Sequence, residues 1–134
     1  MNGQYSGLGL GEFIELGKIF GATLQNKDVV GLYGELGVGK TTFTKGIALA
    51  LDISDEITSP TFNIVSIYPG RMTLVHIDAY RLDGKESIDI LEHVREPYVI
   101  VAEWPNQLPD FQITKKVYIG IDPTGQRNVK LDDF

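Results

Sequence analysis

A chain of 134 residues, 43% apolar and 22% charged, is long enough to enclose one core and too short for two comfortable domains. Its formal charge of -6 gives no general attraction to nucleic acid or to an anionic membrane, so any RNA contact would need a local basic patch or a basic partner. The absence of cysteine excludes disulfides, thiolate metal sites and cysteine nucleophiles.

In chain order, Met1 to Gly11 is glycine-rich and lacks the basic and apolar regions of a signal peptide. No apolar run approaches membrane-spanning length, so a soluble cytoplasmic protein with no membrane partner is expected. Glu12 to Leu24 sets Phe13, Leu16, Phe20 and Leu24 at spacings of three and four, which predicts an amphipathic helix. Asp28 to Tyr33 is a compact apolar run that ends in glycines and reads as a buried strand. Lys40 to Leu51 is predicted helical, with Phe43, Ile47 and Leu51 on one stripe. Phe62 to Tyr68 and Met72 to Ile77, joined by Pro69-Gly70-Arg71, read as a β-hairpin. Glu86 to Arg95 reads as a short helix closed by Pro97. Tyr98 to Ala102 is a second buried strand, uninterrupted enough to be central and covered on both faces. Lys116 to Ile121 and Arg127 to Leu131, linked through Asp122-Pro123-Thr124-Gly125, form a further predicted hairpin. No repeat, low-complexity stretch or linker divides the chain, so one domain is expected.

Gly34-Glu35-Leu36-Gly37-Val38-Gly39-Lys40-Thr41 fits the P-loop pattern G-x-x-x-x-G-K-[ST]. Glycines allow positive φ and close approach of the backbone to phosphate oxygens. The turn aims successive N–H groups inward at the positive end of a helix. Gly37, Val38, Gly39, Lys40, Thr41 and Thr42 would then hold the phosphates of ATP. Lys40 would reach the β- and γ-phosphates, and the Thr41 hydroxyl would ligate Mg2+. The bland alternative is a glycine turn capping an ordinary helix. The flanking strand and amphipathic helix argue against it.

A P-loop also needs a carboxylate from a neighbouring strand. Asp78 and Glu103 both end apolar strands. The uninterrupted strand before Glu103 favours it as the metal-side acid, leaving Asp78 to face the γ-phosphate or its attacking water. For either, a plain surface acid at a strand end stays open. Thr61, in Ser59-Pro60-Thr61, could sense the γ-phosphate as switch residues do; from the residues alone a simple turn is the stronger reading. His76, a lone histidine in a strand, is expected to be packed and hydrogen-bonded rather than catalytic, and His93 to be solvated.

Taken in order, the P-loop through Thr42-Phe43, then Ser59-Pro60-Thr61-Phe62, His76-Ile77-Asp78-Ala79-Tyr80-Arg81-Leu82 and Glu103-Trp104-Pro105 resemble the bacterial ATPase family of tRNA threonylcarbamoyladenosine biosynthesis (TsaE). The resemblance runs from the first predicted helix to the last predicted hairpin. It implies Thr41 and Glu103 as magnesium ligands, and Asp78 and Thr61 as residues of hydrolysis. It places the adenine between Leu10 and the turn before Arg127. It implies an accessory ATPase acting through a separate tRNA threonylcarbamoyl transferase complex, with tRNA contacted only indirectly. Ala79, Ala102 and the glycine-rich lead depart from the usual pattern. Two other readings use the same loop. A small-molecule kinase would need an acceptor pocket and an arginine-bearing lid, for which little chain remains after Lys40. A non-catalytic switch would gate a partner by nucleotide occupancy alone. The fold expected is α/β: one three-layer P-loop NTPase domain, its mixed sheet parallel at the centre and extended by antiparallel hairpins.

Overall fold

The apolar runs do form strands, and these assemble into one mixed sheet. A computed structural model of the chain describes residues 1–35, 37–58, 65–78, 94–103 and 113–133. Its elements are β1 (Gly3–Leu8), α1 (Leu10–Ala22), β2 (Val29–Tyr33), α2 (Lys40–Ala50), β3 (Val65–Tyr68), β4 (Thr73–Asp78), β5 (Tyr98–Glu103), β6 (Lys115–Ile121) and β7 (Arg127–Asp133). Among the described residues the sheet has seven strands in the order β1-β7-β6-β2-β5-β4-β3. The β6–β2, β2–β5 and β5–β4 pairs are parallel and form the centre. Antiparallel β7 and β1 extend one side, and β3 the other. Both predicted hairpins are present. The helix expected over residues 86–95 lies outside the described residues except for its last two positions, which are not helical.

Alternation along the central strands decides which face each residue covers. Val30 and Leu32 of β2 and Val99 and Val101 of β5 join the larger core with Phe13, Phe20, Phe43 and Ile47 of the two helices. Their neighbours Val29, Ile100 and Ala102 turn to the other face and pack with Val75 and Ile77 of β4. β5 is therefore buried on both sides, as an uninterrupted apolar strand should be.

The helices meet closely because glycines line their contact. A Cβ at Gly17 would stand 2.7 Å from the Phe43 carbonyl oxygen, and one at Gly21 would stand 2.9 Å from the Ala50 Cβ. Above this contact Phe43 packs against Phe13 and Phe20, with ring centroids 5.5 and 5.9 Å apart.

Two features differ from the sequence expectation. The helix α1 begins at Leu10 rather than Glu12, with Gly9 as N-cap and Glu12 Oε1 accepting the Gly9 N–H at 3.3 Å. Leu10 is 68% exposed, so it adds nothing to the apolar stripe by which periodicity locates a helix. The glycine-rich lead forms edge strand β1, whose ladder with β7 is broken by an irregularity between Tyr5 and Leu8, where Gly7 takes φ 68°.

The far end of the sheet is tied by charge. Lys115 Nζ donates to Asp133 Oδ1 at 3.0 Å and lies 3.5 Å from Asp28, while the Met1 ammonium reaches Asp133 Oδ2 at 3.0 Å. Hydrogen bonds from Lys115 and from the N-terminus hold the Asp133 carboxyl below its usual range. A carboxyl lowered in the folded state contributes stability above its unfolded pKa of about 3.9, and that contribution is lost as pH falls through the folded value. The melting temperatures of the wild type and Asp133→Asn are therefore expected to differ near neutral pH and to converge as the pH falls below about 3.9 and through the lowered folded value. A gap that stayed constant across that range would remove Asp133 from the acid response.

Candidate functional site

The parallel strands β2, β5 and β4 all run the same way, so their carboxyl ends share one edge. In the ladder Leu32 of β2 pairs with Glu103 of β5, and Glu103 pairs in turn with Asp78 of β4. In parallel α/β sheets this edge is where ligands sit. The glycine loop leaves β2 at the same edge and enters α2.

Local sequence explains the loop's path. Gly37 and Gly39 take φ 86° and 106°, in the left-handed region open to glycine. Gly39 is the N-cap of α2, and its carbonyl accepts the Phe43 N–H at 2.9 Å. A Cβ at Gly34 would stand 2.7 Å from both the Ile119 carbonyl oxygen and Val38 Cγ2, so the loop can leave the sheet this closely only with glycine there. Val38, 4% exposed, pins the loop into the core. Lys40 is 5% exposed and donates from Nζ to the Gly34 carbonyl at 2.7 Å, folding back across the loop that precedes it. Thr41 and Thr42 follow in the first turn of α2, both half-buried. Leu36 lies outside the described residues.

Arg127 also braces the loop. Its Nε donates to the Val38 carbonyl at 2.6 Å, and its Nη1 to the Gly125 carbonyl at 2.7 Å. Arg127 also pairs in the ladder with Leu8, two residues before Leu10. The fold thus brings the β1–α1 junction and the β6–β7 turn together beside the glycine loop. Phe13 of α1 confirms the proximity, since a Cβ at Gly39 would stand 3.0 Å from its ring. The contact between Arg127 and Val38 spans 89 residues and left no signal in the sequence.

Of the two strand-end acids, Glu103 is 7% exposed and makes a hydrogen bond with His76, Nε2 to Oε2, at 2.7 Å. His76 pairs with Val101 in the ladder, so it is the diagonal neighbour of Glu103 on the same sheet face. His76 is packed and hydrogen-bonded, as expected. Its partner could not be read from the sequence, because the β4–β5 register brings them together. Asp78 closes β4 beside Glu103 in the ladder. Thr61 and His93 lie outside the described residues. Among the described residues no group of three or more His, Asp or Glu side chains is set to hold a metal by itself, and no helix is long and apolar enough to cross a membrane.

A sequence model of the family described as threonylcarbamoyl adenosine biosynthesis protein TsaE matches residues 10–130. The tRNA threonylcarbamoyladenosine biosynthesis protein TsaE of Treponema pallidum is 41% identical over 120 residues, covering 84% of this chain and 87% of that relative. The protein of the same name from Mycobacterium tuberculosis is 39% identical over 109 residues, covering 72% of this chain and 65% of its own length. The Bacillus subtilis protein of that name is 36% identical over 112 residues, covering 82% and 71%. The crystal structure of Bacillus subtilis YdiB superposes with a TM-score of 0.74 at 30% identity, covering 99% of this chain and 87% of that one.

Proposed function

The chain belongs to the TsaE family of tRNA threonylcarbamoyladenosine biosynthesis proteins, and on that premise we propose that it is a magnesium-dependent ATPase. It works as one domain in the cytoplasm and serves a separate tRNA threonylcarbamoyl transferase complex. The observation that carries the ATP reading is the glycine loop itself. It joins a central parallel strand to a helix N-terminus, with two glycines in the left-handed region and a buried lysine folded across it. Such a loop presents backbone N–H groups and a helix N-terminus to an anion, and phosphate is the anion it suits.

The donor set suits Mg2+. This ion binds through one or two protein oxygens and completes its shell with phosphate oxygens and water, so a three-carboxylate cage is not required. Thr41, in the first turn of α2, and Glu103, a nine-tenths-buried carboxylate at the sheet edge, are the residues that would hold it. When bound, magnesium neutralises charge that develops on the transferring phosphoryl group. Lys40 holds the β- and γ-phosphates, Gly37, Val38, Gly39 and Thr42 line the nest, and Asp78 and Thr61 orient the attacking water. Adenine lies by Leu10 and Arg127; in support, Leu8, two residues before Leu10, pairs with Arg127 in the β1–β7 ladder.

The accessory role rests on the family and on charge. A chain of net charge -6 is repelled by a polyanion, so tRNA is reached through the partner complex rather than directly. Isolated protein is expected to hydrolyse ATP slowly, because a group supplied in trans contributes about 10³–10⁵ in rate to related P-loop enzymes. Single-turnover hydrolysis with and without the transferase complex tests this. Turnover that is fast alone and indifferent to the complex would overturn the accessory reading.

A further inference from the structure

In β4 His76 stands among Leu74, Val75 and Ile77, each fully buried. An apolar residue at this position would complete the core without desolvating a polar ring, so the imidazole must recover its cost through hydrogen bonding. Its side chain is 0% exposed and makes one such contact, Nε2 to Glu103 Oε2 at 2.7 Å. Nδ1, among the described residues, is the buried side-chain polar atom with no hydrogen-bond partner. These two facts together select the tautomer. An ionised carboxylate only accepts, and a hydrogen on Nδ1 would be a buried donor with nothing to receive it. The hydrogen therefore sits on Nε2 and is given to Oε2.

We propose that His76 is a positioning residue for Glu103: its Nε2–H fixes the carboxylate by Oε2 and leaves Oε1 as the oxygen available to a divalent cation. The inference rests on the reading of Glu103 as the metal-side acid and adds to it the group that holds that acid in place. The contact with His76 engages Oε2 and leaves Oε1 outside it. A free glutamate samples many rotamers and loses them on binding a metal. Here the hydrogen bond and the surrounding core remove that freedom beforehand. Groups that orient a metal ligand in this way alter metal affinity by about 10–100-fold.

The test is a titration of Mn2+, followed by electron paramagnetic resonance, into protein saturated with ADP. His76→Leu is expected to weaken Mn2+ binding by about 10–100-fold, with metal-free ADP affinity, measured in EDTA, unchanged. His76→Gln, whose longer amide can bring an N–H to the place of Nε2, is expected to recover most of the loss; a purely packing role would not be rescued this way. Folded His76→Leu with wild-type Mn2+ affinity would overturn the proposal. If His76→Leu does not fold, His76→Asn replaces it, since its shorter amide cannot reach Oε2 and the same weakening is expected. Glu103→Gln is measured in parallel to separate the two claims. If Glu103→Gln loses Mn2+ and His76→Leu does not, only the positioning role fails. If neither loses it, the assignment of Glu103 as the metal-side acid fails with it.

Discussion

Lys40→Ala is expected to abolish or severely weaken ATP binding while the fold survives. The ammonium is buried at the base of the glycine loop and already oriented by the Gly34 carbonyl. A hydrogen bond between charged groups contributes roughly 1.5–3 kcal/mol, so losing even one such contact to phosphate weakens binding by about ten- to a hundredfold. Alanine is a favourable residue in a helix, and α2 keeps its apolar anchors Phe43 and Ile47. Calorimetric titration with ATP, beside a thermal melt, reads both halves. Unchanged ATP affinity in a folded Lys40→Ala protein would sink the P-loop reading altogether.

The second large effect is expected at the strand-end acids, and there the two should separate. Glu103→Ala should impair magnesium-dependent binding and hydrolysis together, leaving metal-free nucleotide affinity nearly intact. Asp78→Asn and Thr61→Ala should keep ATP and lose turnover, because water positioning acts on the transition state more than on the bound ground state. Removing a group that handles the attacking water's proton costs about 10²–10⁴ in rate. Nucleotide affinity with and without Mg2+, and single-turnover hydrolysis, give the two columns of data. Normal hydrolysis by Glu103→Ala with loss of metal dependence in Asp78→Asn would mean that the acids are reversed. Parallel loss of binding and turnover in Asp78→Asn would mean that this residue shapes the pocket instead.

Elements whose signal is local could be read directly from the residues. The strand, glycine loop and helix from Val29 to Ala50 were legible because an apolar run, a fixed glycine spacing and a 3.6-residue stripe all fall within about twenty consecutive residues. Both hairpins were legible for the same reason, through turn residues set between apolar runs. The strand β5 announced its central place because a strand covered on both faces has no polar alternation.

The remaining features depend on contacts between segments far apart in the chain. The strand β1 is a half-exposed edge strand with glycines, so no apolar pattern marks it, and it forms by pairing with β7 at the other end of the chain. The brace from Arg127 to the Val38 carbonyl depends on β7 lying close to the glycine loop, which no spacing encodes. The contact between His76 and Glu103 depends on the register of β4 against β5, where a slip of one residue would turn either side chain to the opposite face. Local propensity names the residues that can do chemistry; which of them touch is set by strand pairing between segments far apart in the chain, where the energy of burying a whole face outweighs any local preference.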